Sequence, residues 1–304
     1  MTYAEKIAID WGTSNLRAFS LGATGNVIGE ASSNDGMGKL TREQFEPALL
    51  SLIGGWLDPD RVTPVAVCGM AGARQGWMEA AYRSVPCTPV GGPFARPQVK
   101  SPLIDVFIVP GLSQAQPADV MRGEETQIAG VLADHPGFSG ILCLPGTHSK
   151  WVEVRQGRVE RFLTVMTGEL FALLSSQSVL RHGMAGGEGS IDDDAFAQAL
   201  HASFEKPEQF AASLFRLRAE GLLNGLSPKM ARSRLSGLLI GQELASTRFL
   251  WQGKTSLIVG AGRVAGLYGQ ALALFGGSGE TVSGEAMALS GLKQAFALIE
   301  KEKA

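Results

Sequence analysis

Two short turns, far apart in the chain, carry residue types suited to gripping a polyphosphate. Asp10-Trp11-Gly12-Thr13-Ser14 follows the apolar run Ile7-Ala8-Ile9, and Pro145-Gly146-Thr147-His148-Ser149-Lys150 follows Ile141-Leu142-Cys143-Leu144. Glycine lets backbone N–H groups approach an anion closely, and the Thr and Ser hydroxyls add donors without bulk. A plain hairpin turn needs neither two hydroxyls nor a histidine and a lysine at its tip, so the second cluster reads as a phosphate contact. Asp10, at a strand end, suits a divalent cation held through water. Its bland alternative is a turn-forming aspartate. Together the two turns predict a two-lobed nucleotide phosphotransferase.

Four further clusters could complete such a site. Arg122-Gly123-Glu124-Glu125-Thr126 opens a helix, where carboxylates are expected for the helix dipole alone. What gives Glu124 and Glu125 a catalytic reading is their place shortly before the second turn. Successive helical residues diverge by about 100°, so one of the two faces a site; Glu124 is favoured and Glu125 stays open. Arg74, Gln75 and Trp77 follow the strand-like run ending at Gly69, at the sheet edge where α/β proteins place ligands. Guanidinium, amide and indole together suit an acidic sugar. In the loop Ser33 to Gly38, Asp35 and Gly36 offer short polar groups for hydroxyls. Gly260-Ala261-Gly262-Arg263, after the strand-like Thr255 to Val259, departs from a dinucleotide fingerprint and lies near the wrong end of the chain, which disfavours a nicotinamide oxidoreductase. It suits an adenosine site better.

The elements that must position these residues alternate, which argues α/β. Strands are expected at about 6–10, 16–21 and 27–31, then a helix at 41–57 and strands at 64–69 and 106–111. After a helix at 123–132, a strand, tight tip, strand, turn and strand recur over 140–163, read as an internal repeat of the opening meander. Helices at about 168–181, 192–200, 207–222 and 229–250 follow, then a strand at 255–259 and helices at 264–275 and 284–301. The expected lobes are 1–137, completed by the helix 284–304, and 138–283.

At 304 residues, with 45% hydrophobic and 18% charged residues, the chain can bury an ample core. A net charge of −2 gives no general attraction to nucleic acid or anionic membrane, so small-molecule partners are expected. Cys68, Cys87 and Cys143 lack metal-type spacing and read as reduced thiols. No apolar signal region or membrane span stands out, and a cytoplasmic protein is expected. A homodimer is compatible with the sequence but not fixed by it.

The runs Ile9 to Ser14, Gly69 to Trp77, Arg122 to Gln127, Leu144 to Trp151 and Thr167 to Leu170 resemble the 2-dehydro-3-deoxygalactonokinases over nearly the whole chain. The resemblance implies an actin/hexokinase-like (ribonuclease H-like) ATPase fold, with duplicated mixed-sheet lobes about a cleft. It also implies ATP- and Mg²⁺-dependent phosphorylation of 2-dehydro-3-deoxy-D-galactonate on its terminal hydroxyl in galactonate catabolism. Gly12, Thr13, Ser14, Gly146, Thr147 and Ser149 would then contact phosphate or magnesium, with Gly260, Gly262 and Arg263 on the adenosine side. A Glu carboxylate at the acidic helix start would orient the attacking hydroxyl. Pro145 stands where many members of the wider superfamily carry Asp, which leaves more of the magnesium to Asp10. A non-catalytic or polyphosphate-hydrolysing member of the same fold is the main alternative.

Overall fold

The computed structural model describes residues 2–187 and 189–303. The chain divides into two compact units. Unit 1 takes the chain up to Ser139, residues 154–162 and the chain from Ser283 onward; unit 2 takes 140–153 and 163–282.

Unit 1 opens with β1 (Lys6–Trp11), β2 (Leu16–Leu21) and β3 (Val27–Ser33), then α1 (Phe45–Ile53) and β4 (Thr63–Gly69). The strands β5 (Arg83–Ser84), β6 (Ile104–Ile108), β7 (Leu112–Gln114) and β8 (Asp119–Met121) lead to α2 (Glu124–Asp134). The main sheet has the order β3-β2-β1-β4-β6, while β5, β7 and β8 form a small sheet of their own. β1 pairs antiparallel with β2 and parallel with β4, and β4 runs parallel to β6.

Because side chains alternate across a sheet, the continuous apolar runs of β1 and β4 serve two cores. Ile7, Ile9, Trp11, Val65 and Val67 join Phe45, Leu49 and Ile53 of α1 on one face. Ala8, Ala66 and Cys68 join Leu292, Phe296 and Ile299 of the C-terminal helix on the other.

The second five-stranded sheet begins with β9 (Gly140–Leu144), β10 (Ser149–Arg155) and β11 (Arg158–Val165), of which residues 154–162 are counted with unit 1, and unit 2 continues with α3 (Thr167–Ser176), α4 (Asp193–Glu205), α5 (Phe210–Leu223) and α6 (Pro228–Trp251). Then come β12 (Ser256–Val259), α7 (Gly262–Leu274), β13 (Glu280–Val282) and α8 (Gly284–Lys303), the last returning to unit 1. The sheet order is β11-β10-β9-β12-β13, with β9, β12 and β13 parallel. The strands thus follow one order in both sheets, which is the duplication expected from the meander.

Helix starts follow local chemistry. The Asp192 side chain accepts the Ala195 N–H at 3.0 Å to cap α4, and Ser227 caps α6 ahead of Pro228. The single helix expected over 41–57 is instead α1 flanked by 3₁₀ turns at Arg42–Gln44 and Gly54–Trp56. Gly291 of α8 sits against the Thr126 carbonyl of α2, where a Cβ would approach within 1.8 Å. The three cysteines are free thiols, with Cys68 and Cys143 buried. Among the described residues no helix is long and apolar enough to cross a membrane.

Candidate active site

In unit 1 the β1–β2 hairpin presents Thr13, Ser14 and Asn15 to solvent. The turn is closed by Gly12 N–H donating to the Asn15 carbonyl at 2.9 Å. The loop after β3 supports it, with Met37 N–H on the Gly12 carbonyl at 3.0 Å and Gly38 N–H on the Thr13 carbonyl at 2.9 Å. A Cβ on Gly36 would stand 2.2 Å from the Ser14 carbonyl carbon, so only glycine lets the loop seat the tip. The Trp11 indole N–H, buried below, holds the Asp35 carbonyl at 2.8 Å. Asp35 and Gly36 are therefore brought to the first tip.

Asp10 stands one residue before the end of β1, opposite Arg17 of β2 and Cys68 of β4. Burial raises its pKa; Arg17 and the Cys68 thiol, whose Sγ lies 3.8 Å from Oδ1, pull it down, and the charges of Glu285 and Glu124 push it up. The acidic start of α2 is thus electrostatically coupled to Asp10. Its two carboxyls differ sharply. Glu124 is half-buried and accepts the Arg122 backbone N–H at 3.0 Å. Glu125 is fully buried, accepts the Gly123 N–H at 2.7 Å and the Thr126 hydroxyl at 3.1 Å, and is raised to about 8 by desolvation and by Glu124. It is an uncharged carboxylic acid at neutral pH.

Arg74 and Gln75 are exposed in the loop after β4. Trp77 is not an open wall: its ring stacks on Phe45 and meets the edge of Trp11, both at 6.0 Å between centroids. It is chiefly a core residue. Sequence reasoning assigned no site role to Arg122, whose guanidinium lies 4.3 Å over the Tyr82 ring and donates to the Ala80 carbonyl at 2.7 Å.

In unit 2 a cavity of about 620 Å³ gathers residues from five separate stretches of chain. Pro145, Gly146 and Thr147 border it, as do Ala261 and Arg263 from the start of α7. Phe171 of α3 and Arg232, Leu239 and Ile240 of α6 supply further walls that sequence reasoning missed. The Arg232 guanidinium lies 5.2 Å over the Phe171 ring. No spacing signal marked these residues, because they lie within helices and belong to no motif.

The second tip is seated as the first is. Glu169 N–H donates to the Thr147 carbonyl at 2.9 Å, and a Cβ on Gly168 would fall 2.3 Å from the Gly146 carbonyl oxygen. His148 is exposed and its Nε2 lies 2.5 Å from the Glu169 carboxylate. Ser149 and Lys150 depart from the expected phosphate role. Both are buried at the start of β10, and the Ser149 hydroxyl lies 3.0 Å from the Tyr268 hydroxyl, inside the unit. The alternation of the strand turns Ser149 away from the exposed tip. Arg263 donates to the Gly189 carbonyl, and Gly260 N–H to the Val282 carbonyl at 2.9 Å. Gly262, with φ near 64°, begins α7.

Apolar walls with a glycine-hydroxyl tip at one border and a glycine turn at another form a cavity of the size that holds a nucleotide. In unit 1, one half-buried and one fully buried carboxyl stand side by side at the start of α2, the charge of Glu124 acting on Asp10. No group of three or more His, Cys, Asp or Glu able to hold a metal occurs among the described residues.

The sequence profile of the 2-keto-3-deoxy-galactonokinase family matches residues 10–295. A Rhizobium meliloti (strain 1021) protein assigned as a 2-dehydro-3-deoxygalactonokinase is 38% identical over 298 residues, 95% of each chain. The Escherichia coli (strain K12) 2-dehydro-3-deoxygalactonokinase is 35% identical over 296 residues, 95% of this chain and 97% of its own. A crystal structure from Sinorhizobium meliloti assigned the same activity superposes with a TM-score of 0.88 at 36% identity, covering 97% of this chain and 96% of that one. The Clostridium difficile activator of 2-hydroxyisocaproyl-CoA dehydratase, 10% identical with a TM-score of 0.52 over 98% and 97% of the two chains, shares the fold alone. With its two sheets of one strand order and its match from Asp10 to Ala295, the chain belongs to the 2-keto-3-deoxy-galactonokinase family of kinases.

Proposed function

We propose that this kinase transfers the γ-phosphate of ATP to the terminal C6 hydroxyl of 2-dehydro-3-deoxy-D-galactonate, giving 2-dehydro-3-deoxy-6-phosphogalactonate and ADP in galactonate catabolism in the cytoplasm. The observation that carries the nucleotide half is the unit 2 cavity, which joins the exposed Gly146-Thr147 tip to the Ala261–Arg263 turn. The names of relatives at 35–38% identity support the acceptor.

In this reading the tip at 146–147 and the start of α7 take the phosphates and the adenosine, and Phe171, Leu239 and Ile240 cover the base. Gly12, Thr13 and Ser14 present the donors of the first tip to phosphate oxygens. The exposed Arg74 and Gln75, with Asp35 at the first tip, hold the sugar acid. Glu124 accepts a hydrogen bond from the attacking hydroxyl and orients it; the proton leaves late, so the carboxylate's main work is alignment. Glu125 does not take this role, because it is sealed from solvent and uncharged.

A single half-buried carboxylate at Asp10 fits magnesium, which keeps several waters and binds through one or two carboxylates plus phosphate oxygens. When bound, the ion neutralises charge on the phosphates. The Arg17 guanidinium across the β1–β2 register helps keep Asp10 ionised for it.

The test is coupled ADP release from ATP and Mg²⁺ with 2-dehydro-3-deoxygalactonate, its gluconate epimer, plain aldonic acids or no acceptor. Turnover confined to the keto-deoxy acids is expected. Acceptor-independent ADP release would replace the proposal with a nucleotide hydrolase, and turnover with plain aldonic acids alone would replace the acceptor.

A further inference from the structure

Glu243 lies in the middle of α6, 1% exposed, with no charged partner among its hydrogen bonds. Its carboxylate is surrounded by donors from three other elements. Trp151 of β10 donates its indole N–H to Oε1 at 2.7 Å. Thr167, the first residue of α3, and Tyr268 of α7 donate their hydroxyls to Oε2, the latter at 2.5 Å. Since the Tyr268 hydrogen is directed to Glu243, the Ser149 hydroxyl 3.0 Å away is the donor of that pair, and its hydrogen points inward.

A carboxylate taken out of water costs several kcal/mol unless such donors replace its hydration, and an apolar side chain of similar volume would avoid the cost. Desolvation accordingly raises the Glu243 pKa, and the hydrogen bonds donated by Thr167, Tyr268 and Trp151 pull it back. What an apolar side chain would not supply is a common acceptor for three elements. Those elements are the ones that border the unit 2 cavity: Ser149 follows the Gly146-Thr147 tip, Thr167 precedes the Gly168 that seats the tip, and Tyr268 belongs to the helix begun by the Gly260–Gly262 turn.

We infer that Glu243 is a positioning residue for the nucleotide, fixing the phosphate tip, the start of α3 and the adenosine helix in one mutual register through Ser149, Thr167, Tyr268 and Trp151. The inference rests on reading the cavity as the nucleotide site. Neither Glu243 nor Ser149 reaches solvent, so each acts on a ligand only through others. Ser149 therefore gains a role different from a direct phosphate contact.

The experiment is a double-mutant cycle on the full chain with Glu243→Gln and Ser149→Ala, reading MgADP affinity by calorimetry together with kcat, KM and thermal midpoint. In Glu243→Gln the new NH₂ meets the Trp151 N–H or gives up an acceptor position, and either disturbs the register. Each variant is expected to weaken MgADP binding by about three- to tenfold, and the double variant by no more than the weaker-binding single, because the two changes break one network. KM for ATP rises in step while kcat at saturation and KM for the acceptor stay within about twofold. Tyr268→Phe, which keeps the ring, is the second probe should Glu243→Gln fail to fold, with the same selective loss of MgADP affinity. A lowered thermal midpoint with unchanged MgADP affinity in Ser149→Ala and Tyr268→Phe would overturn the inference and leave Glu243 a structural residue. Absence of MgADP binding by the unaltered protein would overturn the nucleotide reading itself, and this inference with it.

Discussion

The two neighbouring glutamates at the start of α2 illustrate how one peptide bond separates chemistry from packing. Glu125 is closed to water with a pKa near 8, well above the 4.5 of a free glutamate, from desolvation and the Glu124 charge. A raised carboxyl pKa in the folded state means that folding must take up a proton from solution once the unfolded chain has lost it. The penalty is absent below about pH 4.5, grows as pH rises to about 8 and then levels off, reaching roughly 3–5 kcal/mol. Glu125→Gln is therefore expected to raise the thermal midpoint at pH 8, with the gain shrinking toward pH 5, and to leave most turnover intact. Glu124→Gln should do the opposite. A loss of about 10²–10⁴ in kcat with MgADP affinity within about twofold is expected, since the neutral amide is a weaker acceptor than a carboxylate and cannot take the hydroxyl's proton. Thermal melts across pH and steady-state kinetics separate the two. If Glu125→Gln loses turnover and Glu124→Gln does not, the roles are reversed. In the sequence Glu124 was favoured and Glu125 stayed open, because both suit a helix N-terminus; their burial is what divides them.

At the scale of elements, each tip rests on a glycine from a segment that follows it: Gly36 under the first and Gly168 under the second. For Gly168→Ala the two effects oppose. Alanine favours helix by up to about 1 kcal/mol, but the added Cβ meets the Gly146 carbonyl and the Thr147 Cα, both backbone, and forcing extra volume into such a contact costs about 1–3 kcal/mol. The clash prevails, so the tip shifts. KM for ATP should rise by about tenfold or more with the acceptor KM unchanged; an unaltered KM for ATP would show that the tip does not set nucleotide affinity.

Most elements were legible from periodicity and turn chemistry: β2 and β9 lie at the expected residues, and the recurring strand-tip-strand pattern announced the duplicated sheets. The strands β5, β7, β8 and β13 were not, since two or three residues, several of them exposed, are too short to show a period of two. The inward turn of Ser149 was equally hidden, because it depends on whether the strand begins at 149 or 151. Glu243 gave no sign, as a lone glutamate within a helix reads as a solvent-facing residue. Trp77 misled for the converse reason: an indole beside an arginine suggests a ligand wall, yet its ring completes a cluster with Trp11 and Phe45.

Across the whole molecule, unit 1 is discontinuous. Its second core is formed by Ala8, Phe19, Ala66 and Phe107 with Leu292, Phe296 and Ile299 of α8. A chain ending at Val282 leaves that face of the sheet bare. Losing three large buried side chains at about 1.5–3 kcal/mol each removes much of the 5–15 kcal/mol that holds a typical domain together. The truncated chain is expected to lose cooperative melting of unit 1 and to bind ANS, measured by calorimetry and dye fluorescence, while unit 2 keeps its own core about Trp151, Trp251 and Tyr268. A truncated chain that melts like the full one would show α8 to be dispensable.

The same discontinuity sets an order on biosynthesis. About 140 residues separate Ser139 from Ser283, and at about 5–20 residues per second a ribosome needs on the order of ten seconds to cross them. Throughout that interval the first-made segment waits with one apolar sheet face uncovered, and unit 2 receives its last strand, β13, before α8 follows. The usual sequence, N-terminal part first, is inverted here, and the nascent chain's exposure to chaperones and proteases is longest for the half that emerges earliest.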